Sequence, residues 1–329
     1  VSFEALSPDL VIEALETAHD REFEGSLVPY SSYVNRVYGV RDVDGEDFIV
    51  KFYRAGRWTD QAILQEHSFL AECAQAEIPA VVPLPDASGE TLSIFELEDI
   101  PGKTPSPIRF ALFPKIAGRS IDIEKEEDWL NLGRIVGRLH SVGALSRADA
   151  RPNLGPELAR DNLARIRPLI HPEISEEFSS ICMDVIESTA ATVRGLASSR
   201  IHGDLHRGNI LSGSDGRLVI LDFDDMMNGP KIQDLWLLLP GLARDCGREL
   251  GLLREGYSVF GDFDSNAVGA IEALRFYRML HFLAWRAGQR EDSWFVREFP
   301  DWGTRAFWIR ELEDFREQAA LIEDPERRS

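Results

Sequence analysis

The sequence predicts an α+β protein whose chain runs from a small antiparallel sheet into a larger, mainly helical region. Between Leu27 and Phe113, short runs rich in branched and aromatic residues are separated by turn residues, as strands of a sheet are. Beyond Pro114, apolar residues return every three or four positions over long stretches, the period of helices packed on a core. A length of 329 residues, 44% of them hydrophobic, is enough to bury a substantial core. The expected division is a lobe of residues 1–113 followed by one of residues 114–329.

Each element has its own signal. Ser7 and Pro8 head LVIEAL, a capping residue and a first-turn proline before a short helix. SSYVNRVYGV, a turn at Asp44-Gly45 and DFIVKFY predict a β-hairpin ending near Tyr53. WTDQAILQEHSFLAECA predicts an amphipathic helix that begins near Thr59 or Asp60 and turns Ile63, Leu64, Phe69 and Leu70 toward a core. After the turn region Ile78–Pro85, strands are expected at Thr91–Leu97 and Ile108–Phe113, with the breaker-rich DIPGKTPSP between them. Pro114–Gly118 reads as a linker. Trp129, Leu132, Ile135, Val136 and Leu139 mark one helix face, and Glu176–Leu196 predicts a second helix. Later helices are expected at Ile232–Leu239, Ala267–Arg286 and Thr304–Ile322, with LVILDF as a short strand among them.

Charge and cysteines narrow the classes. A net charge of -20 opposes binding to a phosphate backbone, and Arg36, Arg54 and Arg57 offer no more than a small patch against it, so nucleic acid is not an expected partner. Cys73, Cys182 and Cys246 lie too far apart for a disulfide framework or a zinc site, which points to a reducing cytosol. No stretch approaches the length of apolar chain that crosses a bilayer, and the first residues lack a signal-peptide core, so a cytoplasmic protein without membrane insertion is expected.

The densest chemistry is HGDLHRGN, His202 to Asn209, followed by LVILDFDD ending at Asp225. Asp204 and Asn209 have the spacing of a protein-kinase catalytic loop, where an Asp orients an acceptor hydroxyl and an Asn binds metal. Asp222 adds a second oxygen ligand for Mg2+, a hard cation that prefers oxygen. Lys51 lies in FIVKFY, and Glu66 follows fifteen positions later on the predicted helix, where it can pair with that lysine. His202 and His206 do not read as a zinc pair, because Gly203 and Gly208 oppose a helix through them and the nearby acids suit magnesium. Structural hydrogen bonding is the expectation for His202, and His67 reads as a satisfied histidine.

HGDLHRGNI with VILDFDD resembles the Brenner-type phosphotransferase signature of the aminoglycoside phosphotransferase and choline kinase superfamily, relatives of eukaryotic-like protein kinases. Together, SYVNRVYGV, FIVKFYR, LQEHSFL, FALFPKIAGR, HGDLHRGNI and NGPKIQDLWLLLPG resemble the bacterial stress response kinase A family over most of the chain. The resemblance implies a two-lobed protein-kinase-like fold and an ATP-dependent, Mg2+-dependent Ser/Thr protein kinase. It further implies a monomer or weak dimer acting in envelope or oxidative stress survival. Asp204 is then the catalytic residue, and Asn209 and Asp222 are the magnesium ligands. Lys51, with Glu66 as its partner, contacts the ATP phosphates. The resemblance also implies that Ser32 contacts phosphate, that the backbone around Asn35 covers it, and that Phe113 lies beside adenine. Asp234 fixes the backbone of the HGD loop.

Alternatives stay open at several of these positions. Ser31 to Tyr38 lacks the G-x-G-x-x-G pattern of ordinary protein kinases, so Ser32 also reads as a turn hydrogen-bonding residue. Phe113 also reads as the end of an edge strand. Asp224 and Asp225 fit either attraction of a basic acceptor or support of neighbouring ligands. No APE ending follows between Asp222 and Asp234. That absence keeps a second function in view, a small-molecule kinase acting on an aminoglycoside, choline or a related amino-alcohol. A noncatalytic kinase-like interaction module is a third class, opposed by the joint retention of Lys51, Asp204, Asn209 and Asp222.

Overall fold

The structure is a computed structural model and describes residues 3, 6–30, 32, 34–96, 107–213 and 216–323. The strands in chain order are β1 (Val28–Tyr30), β2 (Arg36–Arg41), β3 (Asp47–Tyr53), β4 (Ser93–Phe95), β5 (Ile108–Pro114), β6 (Gly118–Ser120), β7 (Ser198–Ile201), β8 (Ile210–Gly213), β9 (Leu218–Ile220) and β10 (Met227–Pro230). The helices are α1 (Pro8–His19), α2 (Asp60–Gln75), α3 (Glu126–Gly143), α4 (Pro156–Ile166), α5 (Pro172–Arg194), α6 (Ile232–Trp236), α7 (Gly247–Tyr257), α8 (Ile271–Ala287), α9 (Ser293–Glu298) and α10 (Arg305–Glu323). By proximity the chain falls into two compact units, Val1–Asp122 with Arg207–Asp225, and Ile123–His206 with Met226–Ser329.

The first unit is built on an antiparallel sheet in the order β1-β2-β3-β5-β4. The β2–β3 hairpin turns as expected at Asp44-Gly45, where Gly45 takes a φ of 89° that side chains rarely adopt. One face of the sheet packs Phe48, Val50, Phe52, Ile108, Phe110 and Leu112 against Val11, Ala14 and Leu15 of α1. Ser7 caps α1 by accepting from Leu10 N at 3.2 Å, and Thr59 caps α2 by accepting from Ala62 N at 3.2 Å. Tyr53 and Ala111 join Ile63 of α2 in a second cluster. A smaller sheet, β6-β8-β9, draws the later segment Arg207–Asp225 into this unit.

Several expectations are corrected in detail. Leu64 is 40% exposed, because the helical period turns Ile63, Glu66, His67 and Leu70 inward and leaves Leu64 beside them on the outer face. The strand within LVILDF stops at Ile220, and Asp222 leaves extended geometry with a φ of 55°. The helix expected over Ile232–Leu239 stops at Trp236, since Pro240 disfavours helical geometry in the residue before it. Pro114 ends β5 and Gly118 opens β6, so the expected linker shrinks to Lys115–Ala117. The expected strand Thr91–Leu97 is β4, and Leu97 and the stretch Asp99–Ser106 lie outside the described residues.

The second unit is helical apart from the antiparallel pair β7–β10. Phe178 of α5, Phe276 of α8 and Phe315 of α10 meet with ring centroids 4.8 and 4.9 Å apart and knit these helices together. α3 and α7 approach so closely that glycine is required at the crossing. A Cβ at Gly256 would collide with the Leu130 carbonyl, and one at Gly137 would lie 2.7 Å from the Tyr257 carbonyl. Gly256→Ala is therefore expected to cost about 1–3 kcal/mol or more of stability, since backbone cannot retreat as a flexible side chain can. Urea unfolding of the variant checks this, and an unchanged midpoint overturns it.

Candidate active site

Strand alternation places Lys51. Val50 and Phe52 belong to the core against α1, so the intervening Lys51 and Tyr53 point to the opposite face, where α2 packs. Ala111 lies across from Lys51 on β5 and leaves it room. Lys51 Nζ is 3.4 Å from Glu66 Oε1, 3.0 Å from Asp224 Oδ1 and 3.3 Å from Asp222 Oδ1. Burial alone would discharge this lysine, but Asp224, Glu66 and Asp222 outweigh it and hold the ammonium well above its usual pKa. Glu66 and Asp224 are buried, whereas the Asp222 side chain is 58% exposed and has an oxygen free to face solvent.

Asp222 sits where β9 has ended. Leu221 N donates to the Asn209 carbonyl at 2.8 Å, which ties the residue before Asp222 to Asn209. Arg57 Nε lies 3.0 Å from Asp224 Oδ2, and its Nη2 donates to Asp225 Oδ1 at 2.5 Å. Asn35 Nδ2 donates to Asp224 Oδ1 at 3.1 Å. Lys51 and Arg57 thus stand against Glu66, Asp222, Asp224 and Asp225, a set with two more negative than positive charges. That excess, and the hard oxygens of Asp222 and Asn209, fit a divalent cation that keeps phosphate and water among its ligands.

Ser32 Oγ accepts from Asn35 N at 3.3 Å, the turn hydrogen bond that its sequence also allowed. Ser31 and Tyr33 lie outside the described residues. Phe113 is half-buried against the Tyr53, Ile63, Leu92 and Ala111 cluster, its ring edge-on to His67. His67 is satisfied as expected, with Nε2 at 2.8 Å from Tyr53 OH and Nδ1 at 2.9 Å from Thr91 Oγ1. Arg57 is buried, and Arg36 and Arg54 lie over the Phe3 ring, so the three do not form an open basic patch.

Asp204 belongs to the second unit, just beyond β7. Gly203 takes a φ of 84°, a turn that glycine makes at little cost. Asp234, fully buried, accepts from His202 N at 2.8 Å and from Gly203 N at 2.9 Å, so its carboxylate does fix this loop. His140 Nε2 lies 3.0 Å from the same carboxylate, and its Nδ1 lies 3.2 Å from Tyr257 OH. Burial opposes charge on Asp234, but these partners, His140 foremost, hold its pKa below the usual range. His202 Nδ1 accepts from Asp204 N at 3.2 Å, the structural role expected of it. Arg278 of α8 donates Nη2 to Asp204 Oδ1 and approaches the Gly203 carbonyl with Nη1 at 3.4 Å. His206 Nε2 is 3.6 Å from the other Asp204 oxygen.

A carboxylate on a pinned loop, and a buried lysine paired to a helix glutamate beside an exposed aspartate, match the parts of a phosphoryl-transfer enzyme. The chain belongs to the phosphotransferase enzyme family, whose pattern it matches over residues 26–277. Within that family it falls with stress response kinase A: it is 33% identical to Stress response kinase A of Escherichia coli (strain K12) over 328 residues, 98% of this chain and 96% of that protein. It is 32% identical over 331 residues, with the same coverage, to the protein named serine/threonine protein kinase RdoA of Salmonella typhimurium (strain LT2). Among solved structures it resembles the amicoumacin kinase hAmiN, held with AMP-PNP, Ca2+ and Ami, with a TM-score of 0.73 at 16% identity over 95% of this chain and 94% of that one. The fold is thus the two-lobed protein-kinase-like one, and the chain is an ATP-dependent phosphotransferase.

Arg278, His140 and Tyr257 escaped the sequence reading, as did the buried parts played by Arg57 and by the Asn35 side chain. An arginine or tyrosine within a helix carries no local mark of a partner more than seventy positions away. The Asp234 anchor has a measurable signature. A carboxylate whose folded pKa is lowered stabilises the protein above its unfolded pKa of about 3.9, and that stability is lost as pH falls through the lower folded value. Asp234→Asn is expected to lose about 2 kcal/mol or more at neutral pH. Urea unfolding across a pH series should show the gap to wild type narrowing below about pH 4; a gap independent of pH overturns this.

Proposed function

We propose that the chain is a Mg2+-dependent Ser/Thr protein kinase that moves the γ-phosphate of ATP to a protein hydroxyl. The observation that carries the reading is Lys51, buried and held between Glu66 of α2 and the exposed Asp222. In this reading Lys51 turns from Asp222 to the nucleotide phosphates while Glu66 keeps its Nζ in place. Asn209 and Asp222 supply oxygens to the metal, which when bound neutralises charge on the phosphates. Ser32 lies toward phosphate and Phe113 toward adenine. Asp204 orients the acceptor hydroxyl and takes its proton. The hydroxyl oxygen bonds to the γ-phosphorus as the bond to the β–γ bridging oxygen breaks, and ADP leaves.

The name of the Salmonella typhimurium relative, a serine/threonine protein kinase, supports a protein acceptor. Arg278 supports it too, because its guanidinium already occupies the carboxylate that an ammonium group of an aminoglycoside or choline would otherwise seek. Action in the cytoplasm accords with Cys73, Cys182 and Cys246, three buried thiols. Among the described residues, no helix is long and apolar enough to cross a membrane.

Transfer of labelled γ-phosphate, offered both a protein mixture and a panel of small-molecule hydroxyls, tests the reading. Label is expected in protein, and transfer confined to an amine-bearing small molecule overturns it. Asp204→Ala is expected to lower transfer by about 100-fold or more, with nucleotide affinity changed by no more than about threefold. Asp222→Asn should instead weaken Mg-nucleotide binding itself, measured by titration of the purified variant.

A further inference from the structure

The segment between β1 and β2 lacks the glycines that let a backbone lie close over phosphates, yet it contains a buried polar side chain. Asn35 is 3% exposed, and both ends of its amide are engaged. Its Nδ2 donates to Asp224 Oδ1 at 3.1 Å, and its Oδ1 accepts from Arg54 N at 3.1 Å. Arg54 Nε in turn donates to the Val34 carbonyl at 2.8 Å, tying the segment to the end of β3. Asp224, also 3% exposed, is the partner common to Asn35, Lys51 and Arg57. Arg57 reaches onward to Asp225, and it stands just before Thr59, the cap of α2, the helix that carries Glu66.

We propose that Asn35, Asp224 and Arg57 form a positioning clamp that takes the place of a glycine-rich phosphate loop. The proposal rests on the reading of this unit as the ATP site. Asn35 fixes the β1–β2 segment through a side chain where glycine-rich loops use backbone. Asp224 supplies the fixed acceptor, and without nucleotide it also holds Lys51. Arg57 keeps Asp224 paired when Lys51 turns to phosphate, so the transfer of the lysine leaves no buried carboxylate uncompensated. Asp224 and Asp225 act here within the protein and are not a surface for a basic acceptor.

The test is Mg-ATP affinity, read with a fluorescent ATP analogue, together with steady-state kinetics on wild type, Asn35→Ala, Asp224→Asn, Arg57→Lys and the Asn35→Ala/Asp224→Asn double variant. Thermal unfolding of each confirms that it is folded. Loss of a buried hydrogen bond to a charged group predicts about a tenfold rise in KM for ATP in Asn35→Ala, with kcat and the acceptor KM changed far less. The double variant should be little worse than Asp224→Asn alone, since the two residues act through one contact. Arg57→Lys keeps the charge but loses the fork that spans Asp224 and Asp225, and it should fall between wild type and Asp224→Asn. If Asn35→Ala does not fold, Asn35→Ser and Arg57→Lys carry the same comparison. Failure of wild type to bind ATP overturns the nucleotide reading and the clamp with it. Tight binding by wild type with unchanged ATP KM in the folded variants, or additive losses in the double variant, overturns the clamp alone.

Discussion

The ammonium of Lys51 lies in a place from which burial alone would expel its charge, and three carboxylates keep it there. Removing an ion from water costs several kcal/mol even after the protein relaxes, so such a charge persists only among well-placed partners. Those partners come from two separate parts of the chain. Glu66 requires α2 on the face of the sheet opposite α1, and Asp222 and Asp224 require β9 to be carried in beside Pro79, whose carbonyl accepts from Ile220 N at 2.9 Å. The sheet alternation, the Thr59 cap and the small β6-β8-β9 sheet all meet at this one charge.

The second unit applies a related device to a different end. Asp234 is a buried carboxylate that faces two backbone N–H groups and a histidine, and its role is to hold a loop still. α3 and α7 touch through glycine, which brings Tyr257 to the far side of the His140 imidazole. Asp204 inherits that rigidity through the bond from its own N–H to His202.

What was legible in the sequence was whatever has local cause. Caps at Ser7 and Thr59, the Asp44-Gly45 turn, the alternation through Phe48–Tyr53 and the HGDLHRGN spacing all follow from neighbours along the chain. Lys51 and Glu66 are legible as a pair only with the HGDLHRGN loop beside them, through the kinase order of strand lysine, helix glutamate and catalytic loop. The arginines were not legible in this way. Arg57, one of three arginines near one another in sequence, is buried on Asp224, and Arg278, with no local mark of a partner, lies on Asp204. Leu64 marks the limit of periodicity itself, since one step around the helix separates a core position from an open one.

The first unit is discontinuous along the chain, with Arg207–Asp225 returning to it after the whole stretch Ile123–His206. During synthesis from the amino terminus, Lys51 and Glu66 leave the ribosome long before Asp222 and Asp224 exist. The sheet can pair and α1 can dock in that interval, but β6 has no β8 to pair with, and Asn35 and Arg57 have no Asp224. The first unit is thus completed only after Ile123–His206, the earlier part of the helical unit, has been made. Half-translated chains carry the lysine with Glu66 alone of its three carboxylates.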